Sequence, residues 1–371
     1  MRGPAVFPIV IAAGGTGGHF FPAEALASEL IVRGRRAVLM TDARSGGLQS
    51  ATFGESERFI IRGAGIAGRG LWRSATAVLA LAGGVAQARG ILARINPALV
   101  VGFGGYPCVA PVLATRFMSH RPPVLLHEQN AVLGRANRFL LRFADVMALS
   151  FAATTRAPET TAVVITGNPV RPAIMALADL PYTPPTDAIR LLVLGGSLGA
   201  RVFSDVVPPA LAALPDALRS RLTVTQQCRP EDLERVRAAY AKRGIAADLA
   251  PFFPDVADRL AVAHLVIARS GASTVSELAV AGRPSVLVPL PGAIDDHQSA
   301  NAQALADARG ASVIAQRGFT PDSLCKRLIA LLSEPDMLVH AARAARSIAR
   351  ADATSRLADL AEDLMRQEVR G

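Results

Sequence analysis

Two glycine-rich turns carry the first chemical suggestion in this chain. Gly14-Gly15-Thr16-Gly17-Gly18-His19 and Gly195-Gly196-Ser197-Leu198-Gly199-Ala200 each follow an apolar run and open a helix-like segment. Such a turn leaves backbone N–H groups unpaired beside the positive end of a helix dipole, which makes a site for phosphate. Two of them facing each other suggest a cleft between two domains. Neither ends in the Lys-Ser/Thr of a P-loop, which argues against ATP hydrolysis of that type. The first also departs from GxGxxG, yet Asp42 ends the following strand at a plausible ribose distance, so a nicotinamide nucleotide is an alternative ligand at this point.

More polar clusters sit where strands end. Ala268-Arg269-Ser270-Gly271-Ala272-Ser273-Thr274-Val275-Ser276-Glu277 joins a strand to a helix expected to start near Ser273 or Thr274 and to stop at Gly282. Small residues let a ligand approach the backbone, and Glu277, about one turn in, can accept hydrogen bonds from both hydroxyls of a ribose. A capping-box glutamate fits the same spacing. In Asp295-Asp296-His297-Gln298-Ser299-Ala300-Asn301-Ala302 the aspartates read as caps, while Gln298 and Asn301 share a helix face and offer amides to sugar hydroxyls. Gly102-Phe103-Gly104-Gly105-Tyr106 and His127-Glu128-Gln129-Asn130 end two further strands, and in an open α/β sheet ligands bind at such carboxyl ends. Glu128 reads either as a working carboxylate or as the buried partner of an arginine.

These clusters need a scaffold of short buried strands. In the first half the segments 7–12, 37–41, 98–103, 124–127, 146–149 and 163–166 read as strands, and in the second half 191–194, 222–226, 265–268, 285–288 and 312–314. Helical stretches separate most of them, including 231–243 and 274–281. That alternation predicts an α/β protein of two Rossmann-like, doubly wound parallel sheets. At 371 residues two domains are expected, at 1–167 and 191–371, with a proline-rich linker at 168–190 and a last helix free to pack back on the first domain. MRGPAVFPIVIAAGG reads as the first strand rather than a signal peptide, no apolar run approaches the ~20 residues of a membrane-spanning helix, and a cytoplasmic protein is expected. Cys108, Cys228 and Cys325 lie far apart and suggest small core residues, with neither a disulfide framework nor a metal site.

Charge is unevenly placed. The formal net charge is +10, and residues 1–168 hold 17 Arg against 8 acids, a balance of +9. Between Arg58 and Arg142 there are 11 arginines and one acid, Glu128. Such a face attracts nucleic acid or anionic lipid. With one Trp and three Tyr in the chain, the aromatic platforms of a single-strand binder are lacking, and the glycine turns would go unexplained, so nucleic acid is not the expected partner.

Taken in order, GGTGGH, GFGGY, HEQN, GNPVR, GGSLGA, RSGASTVSE and DDHQSANA span residues 14–302, and in this set the chain resembles the MurG family of bacterial glycosyltransferases. The resemblance implies a GT-B fold and a hexosyltransferase that moves N-acetylglucosamine from UDP-N-acetylglucosamine to the lipid-linked muramyl pentapeptide, lipid I. No cofactor is implied, and the absence of any Asp-x-Asp leaves a divalent-metal clamp unsupported. By motif, Thr16, Gly17, Gly18, Asn130, Arg171, Ser197 and Gln298 would contact the donor, as would Ala272, Ser273, Thr274, Val275, Ser276 and Glu277. Phe253 stands where the family often has an aliphatic residue whose backbone reads uracil, a departure that a backbone contact tolerates.

The implied reaction is an inverting displacement, with the acceptor 4-hydroxyl attacking and UDP departing. It needs a base and a means of neutralising the diphosphate; Arg171, the glycine turns and the helix N-termini can do the second. His19 is the expected base because an unperturbed imidazole titrates near neutrality, with Glu128 as competitor; positioning acceptor phosphate or packing the turn is the other reading of His19. Arg69, Trp72 and Arg73, with Arg138 and Arg142, read as an apolar surface ringed by arginine that lies on an anionic bilayer, or else as core helices with solvated arginines. The resemblance places the protein at the cytoplasmic face of the bacterial inner membrane, peripherally, with cell-wall synthesis or division proteins as further partners. A UDP-N-acetylglucosamine 2-epimerase, or a transferase for a soluble acceptor, is the rival on the same fold.

Overall fold

The run Ile9-Val10-Ile11-Ala12 is apolar without alternation because it is buried on both faces, as a parallel strand covered by helices must be. It is the centre of the first sheet in a computed structural model that describes residues 7–14, 17–43, 50, 52–53, 57–61, 71–157, 161–196 and 199–368, without the side chains of 71–76 and 367–368. Seven strands, β1 (Ile9–Ala12), β2 (Ala37–Thr41), β3 (Arg58–Ile60), β4 (Leu99–Gly102), β5 (Val124–Glu128), β6 (Val146–Leu149) and β7 (Ala162–Ile165), pair in the order 3-2-1-4-5-6-7. All pairings are parallel, with Ile9 opposite both Ala37 and Leu99. The order reverses between β1 and β4, and a crevice opens at the carboxyl ends of such a pair.

Alternate residues of β1 feed two cores. Ile9 and Ile11 pack with Phe20, Leu26 and Leu30 of helix Gly17–Val32 and with Leu357 and Ala361 of the last helix. Val10 and Ala12 point the other way, toward Ala88 and Leu92 of helix Leu71–Ile95 and Val112 of helix Val109–Thr115.

The second sheet holds β8 (Ile189–Leu194), β9 (Leu222–Gln227), β10 (Ala246–Ala250), β11 (Leu265–Ala268), β12 (Ser285–Leu287) and β13 (Ala311–Val313), in the order 10-9-8-11-12-13. It too is parallel, with Leu265 opposite Leu191 and Ile189 opposite Leu222, and its order reverses between β8 and β11. Ile189, Leu191 and Val193 pack on Phe203, Val207 and Leu211 of helix Arg201–Ala212 and on Leu324 and Leu328. The described residues thus contain β3 and β10 beyond the strands expected. The first is three residues long, and Ala-Ala-Asp-Leu-Ala in the second has no β-branched residue to signal a strand.

The chain forms two compact units, Met1–Arg171 with Asp352–Gly371, and Pro172–Ala351. The proline-rich stretch expected as a linker packs into the second: Ile174 is fully buried and the Tyr182 hydroxyl donates to the His264 carbonyl at 2.9 Å. The last helix, Ala353–Glu368, belongs to the first unit, the placement that the sequence left open to it. Leu357, Ala358 and Ala361 bury its apolar stripe, Arg33 Nη1 reaches Asp359 at 2.6 Å, and Arg35 Nε reaches Glu362 at 2.7 Å. Paired with these arginines, the Glu362 carboxyl is held below the usual carboxylate range.

Candidate functional site

In the first unit, the turns after β1 and β4 flank the point where strand order reverses, and they bring His19 and Gly105 together. Gly105 has φ +70°, and a Cβ built there would lie 3.2 Å from His19 Cδ2 and 3.3 Å from Nε2. Only glycine allows both the backbone turn and the imidazole beside it. Under this turn the Cys108 thiol lies 2.8 Å from the Ala12 carbonyl and 2.9 Å from that of Gly104, and burial pushes its pKa up to about 12. All three cysteines are buried.

The polar run at the end of β5 faces the same place. His19 Nδ1 lies 2.7 Å from Gln129 Oε1, Gln129 Nε2 lies 2.9 Å from His127 Nδ1, and His127 Nε2 lies 3.0 Å from the Gly167 carbonyl. His127 is wholly buried, which lowers its pKa to about 4 and keeps the imidazole neutral. Glu128 is buried too, and its carboxylate is already occupied. Oε1 accepts from the Asn130 backbone and side-chain N–H groups, both at 3.0 Å, and Oε2 from Gly134 N and Asn137 Nδ2, both at 2.9 Å. Four donors spend the lone pairs that a base would aim at substrate, so the geometry makes Glu128 a clamp on the loop 128–137. Asn137, unremarked in the sequence, also donates to the His127 carbonyl at 3.1 Å and packs against Gly104.

Arg171 places its guanidinium 5.4 Å from the centre of the Phe21 ring, one turn into helix Gly17–Val32, so a fixed positive charge lies beside the helix start that carries Gly17 and Gly18. Among the described residues no hydrogen bond reaches His19 Nε2.

In the second unit the turns after β8 and β11 hold the equivalent position. A Cβ on Gly195 would lie 2.4 Å from Ala200 N, so the turn closes on itself too tightly for any side chain. Gln227 braces it: Oε1 accepts from Gly195 N at 3.0 Å, while Nε2 donates to Gly196 O at 2.9 Å and to Pro251 O at 3.0 Å. One amide thereby ties the glycine turn to the loop 251–254. Phe253 in that loop buries its ring under the Arg259 guanidinium, 4.0 Å from the centroid, and its backbone lies outside any helix or strand.

Helix Ala272–Ala281 starts one residue or more earlier than expected, with Gly271 at its N-cap and no side-chain cap, and ends at left-handed Gly282. Glu277 is its sixth residue, beyond the third-position reach of a capping box, which removes that reading. The first N–H groups of the helix therefore lack a side-chain cap, and among the described residues Ser273 Oγ is buried with no hydrogen-bond partner. Ala272 and Val275 are buried, whereas Ser273, Thr274, Ser276 and Glu277 are half-buried.

Gln298 is half-buried at the start of helix His297–Asp307. Its Oε1 accepts from Leu290 N at 2.9 Å, which turns the amide NH2 outward as a donor. Asn301 does not share that role: it is fully buried and donates to Ser270 O at 3.1 Å. Arg269, also missed as a structural residue, is buried with Nη1 on the Val288 and Pro289 carbonyls and Nη2 on Gln316, and burial lowers its pKa.

Thr16, Ser197 and Arg69 lie outside the described residues, as do the side chains of Trp72 and Arg73. Helix Leu71–Ile95 docks by Ala88 and Leu92, with Val78 65% and Leu79 72% exposed. Contrary to the sequence expectation, its stretch Ala77–Ile95 is long and apolar enough to cross a membrane by length and composition. Helix Arg135–Leu140 buries Asn137 and Leu140; Arg138 is half-buried, and exposed Arg142 stacks 5.1 Å from the centre of the Phe139 ring.

Comparison with known proteins matches residues 9–149 to the glycosyltransferase family 28 N-terminal domain and residues 190–364 to the glycosyltransferase family 28 C-terminal domain. A Granulibacter bethesdensis protein named UDP-N-acetylglucosamine–N-acetylmuramyl-(pentapeptide) pyrophosphoryl-undecaprenol N-acetylglucosamine transferase is 62% identical over 97% of this chain and 94% of its own length. An Acidiphilium cryptum protein of the same name is 54% identical over the full length of both. The crystal structure of Acinetobacter baumannii MurG superposes with a TM-score of 0.75 at 32% identity, covering 96% of this chain and 99% of that one.

Proposed function

Since this chain belongs to the MurG family within glycosyltransferase family 28, we propose that it moves N-acetylglucosamine from UDP-N-acetylglucosamine to the 4-hydroxyl of the muramyl sugar of lipid I, giving lipid II for peptidoglycan. The fold is GT-B, two parallel-sheet α/β domains. The observation that carries the division of labour is chemical: the first unit's crevice presents an imidazole, the second's an uncapped helix N-terminus with an orphan hydroxyl.

In this reading His19 Nε2 takes the proton as the acceptor oxygen bonds to the anomeric carbon, and UDP leaves from the opposite face with the electron pair. The developing diphosphate charge is met by the backbone N–H groups of the helix start 271–273, by Arg171 and, as the motif implies, by Ser197. Glu277 accepts from the ribose hydroxyls, the Phe253 backbone pairs with uracil, and the outward amide of Gln298 donates to the sugar. Thr16, Gly17, Gly18 and Asn130 line the donor on the side of the reacting bond.

The arginine-rich first unit is the proposed membrane face, peripheral on the cytoplasmic side of the inner membrane. Docking of Leu71–Ile95 through Ala88 and Leu92 supports a helix that lies on a bilayer rather than across it, with Val78, Leu79 and Phe139 outward and Arg142 beside Phe139. Arg69, Trp72, Arg73 and Arg138 extend that face. Partners from cell-wall synthesis and division would meet the enzyme there. Radiolabelled transfer from UDP-N-acetylglucosamine to lipid I in detergent tests the activity: labelled lipid II is expected, and no transfer overturns the reading.

A further inference from the structure

We propose that Gln129 and His127 are positioning residues that fix the tautomer of His19, so that its Nε2 carries the lone pair that faces substrate. The inference rests on the reading of His19 as base and deepens it.

The hydrogen-bond directions are fixed from a group with no choice. The Gly167 carbonyl can only accept, so His127 Nε2, 3.0 Å away, carries a proton. His127 is fully buried and neutral, which leaves Nδ1 as an acceptor. The atom of Gln129 that lies 2.9 Å from Nδ1 must then be its NH2 group, whose nitrogen also lies 3.0 Å from the His127 carbonyl, so both amide hydrogens are used. This orientation of the amide turns Oε1 toward His19 Nδ1 at 2.7 Å. An amide oxygen only accepts, so the proton of neutral His19 sits on Nδ1 and its lone pair on Nε2.

The chain of bonds spans strands of one sheet that lie far apart in sequence, each separated from the next by a single strand. Gln129 follows β5, Gly167 follows β7, and His19 opens the helix after β1. Gly105 closes the other side of the His19 ring. Free imidazole exchanges between tautomers; here one of the two is bonded and the other would set an N lone pair against the Gln129 oxygen.

Nitrogen-15 NMR of histidine-labelled protein at neutral pH, with His19 assigned through His19→Ala, tests this without reference to turnover. The expected spectrum shows His19 Nδ1 protonated and Nε2 unprotonated; the reverse, or an even mixture, overturns the proposal. Gln129→Leu should mix the His19 tautomers and lower kcat about 10- to 100-fold with donor KM nearly unchanged. Wild-type kcat in a folded Leu variant whose tautomers are mixed contradicts it. Normal turnover in His19→Ala would remove the base assignment while leaving the tautomer result to stand by itself.

Discussion

The two crevices share a topology and differ in what holds their turns. In the first unit a chain of side chains, Gly167 to His127 to Gln129, ends on a titratable ring. In the second the brace is one amide, Gln227, together with Asn301 on the Ser270 carbonyl, and what is left is a helix start with no side-chain cap and, among the described residues, a buried serine hydroxyl with no partner. A parallel sheet supplies the same opening at each reversal of strand order. Whether it does acid–base chemistry or binds an anion depends on where the supporting hydrogen bonds terminate.

That difference predicts opposite kinetic signatures. The largest is expected from His19→Ala, with kcat down about 10²- to 10⁴-fold and donor affinity nearly unchanged; near-normal turnover in a steady-state assay would end its assignment as base. Charge comes next. Neutralising Arg69, Arg73, Arg138 and Arg142 together should weaken partition onto anionic vesicles about 100-fold or more, as sedimentation would show; unchanged binding would remove the membrane face from the first unit. In the second unit Glu277→Ala should raise donor KM about 10-fold with a smaller change in kcat, since it deletes hydrogen bonds to a ribose remote from the bond broken. A kcat effect as large as that of His19→Ala would reverse the division.

The smallest effect is one of pH and is common to the two units. His127 and His264 are both lowered to about 4, chiefly by burial, so each binds fewer protons folded than unfolded. Their stabilisation is complete above the unfolded pKa near 6.5 and is lost as pH falls toward 4. For His127 the loss between pH 6.5 and 5.5 is about 1 kcal/mol, which denaturant titration at the two pH values can measure; His127→Gln should flatten that part of the profile.

Sequence pattern made most of this legible where one residue type carries one physical meaning. Apolar runs that end in glycine announced β1, β4, β8 and β11, and with them both crevices. Short or alanine-rich strands such as β3 and β10 carry no such signal, because their pairing is decided by neighbours in the sheet. Side-chain braces were opaque for the same reason. Gln129 was visible within His127-Glu128-Gln129-Asn130, yet its partner His19 stands 110 residues away, and nothing local distinguishes a bracing amide from a ligand-binding one. Glu128 shows the reverse case: a lone acid in a basic region reads as a working carboxylate or as the partner of an arginine, while its four donors are backbone and amide groups that charge counting does not register. Asn137 and Gln227 stood outside any motif. The amphipathic stripe of the last helix was readable; that it returns to the first unit depends on Arg33 and Arg35, which only the fold brings opposite Asp359 and Glu362.

Calorimetric titration of UDP against the wild-type enzyme, His19→Ala and Glu277→Ala tests the division of labour most directly. The account predicts that His19→Ala binds UDP as the wild type does and that Glu277→Ala binds about 10-fold more weakly. Loss of UDP affinity in His19→Ala with full affinity in Glu277→Ala would contradict it.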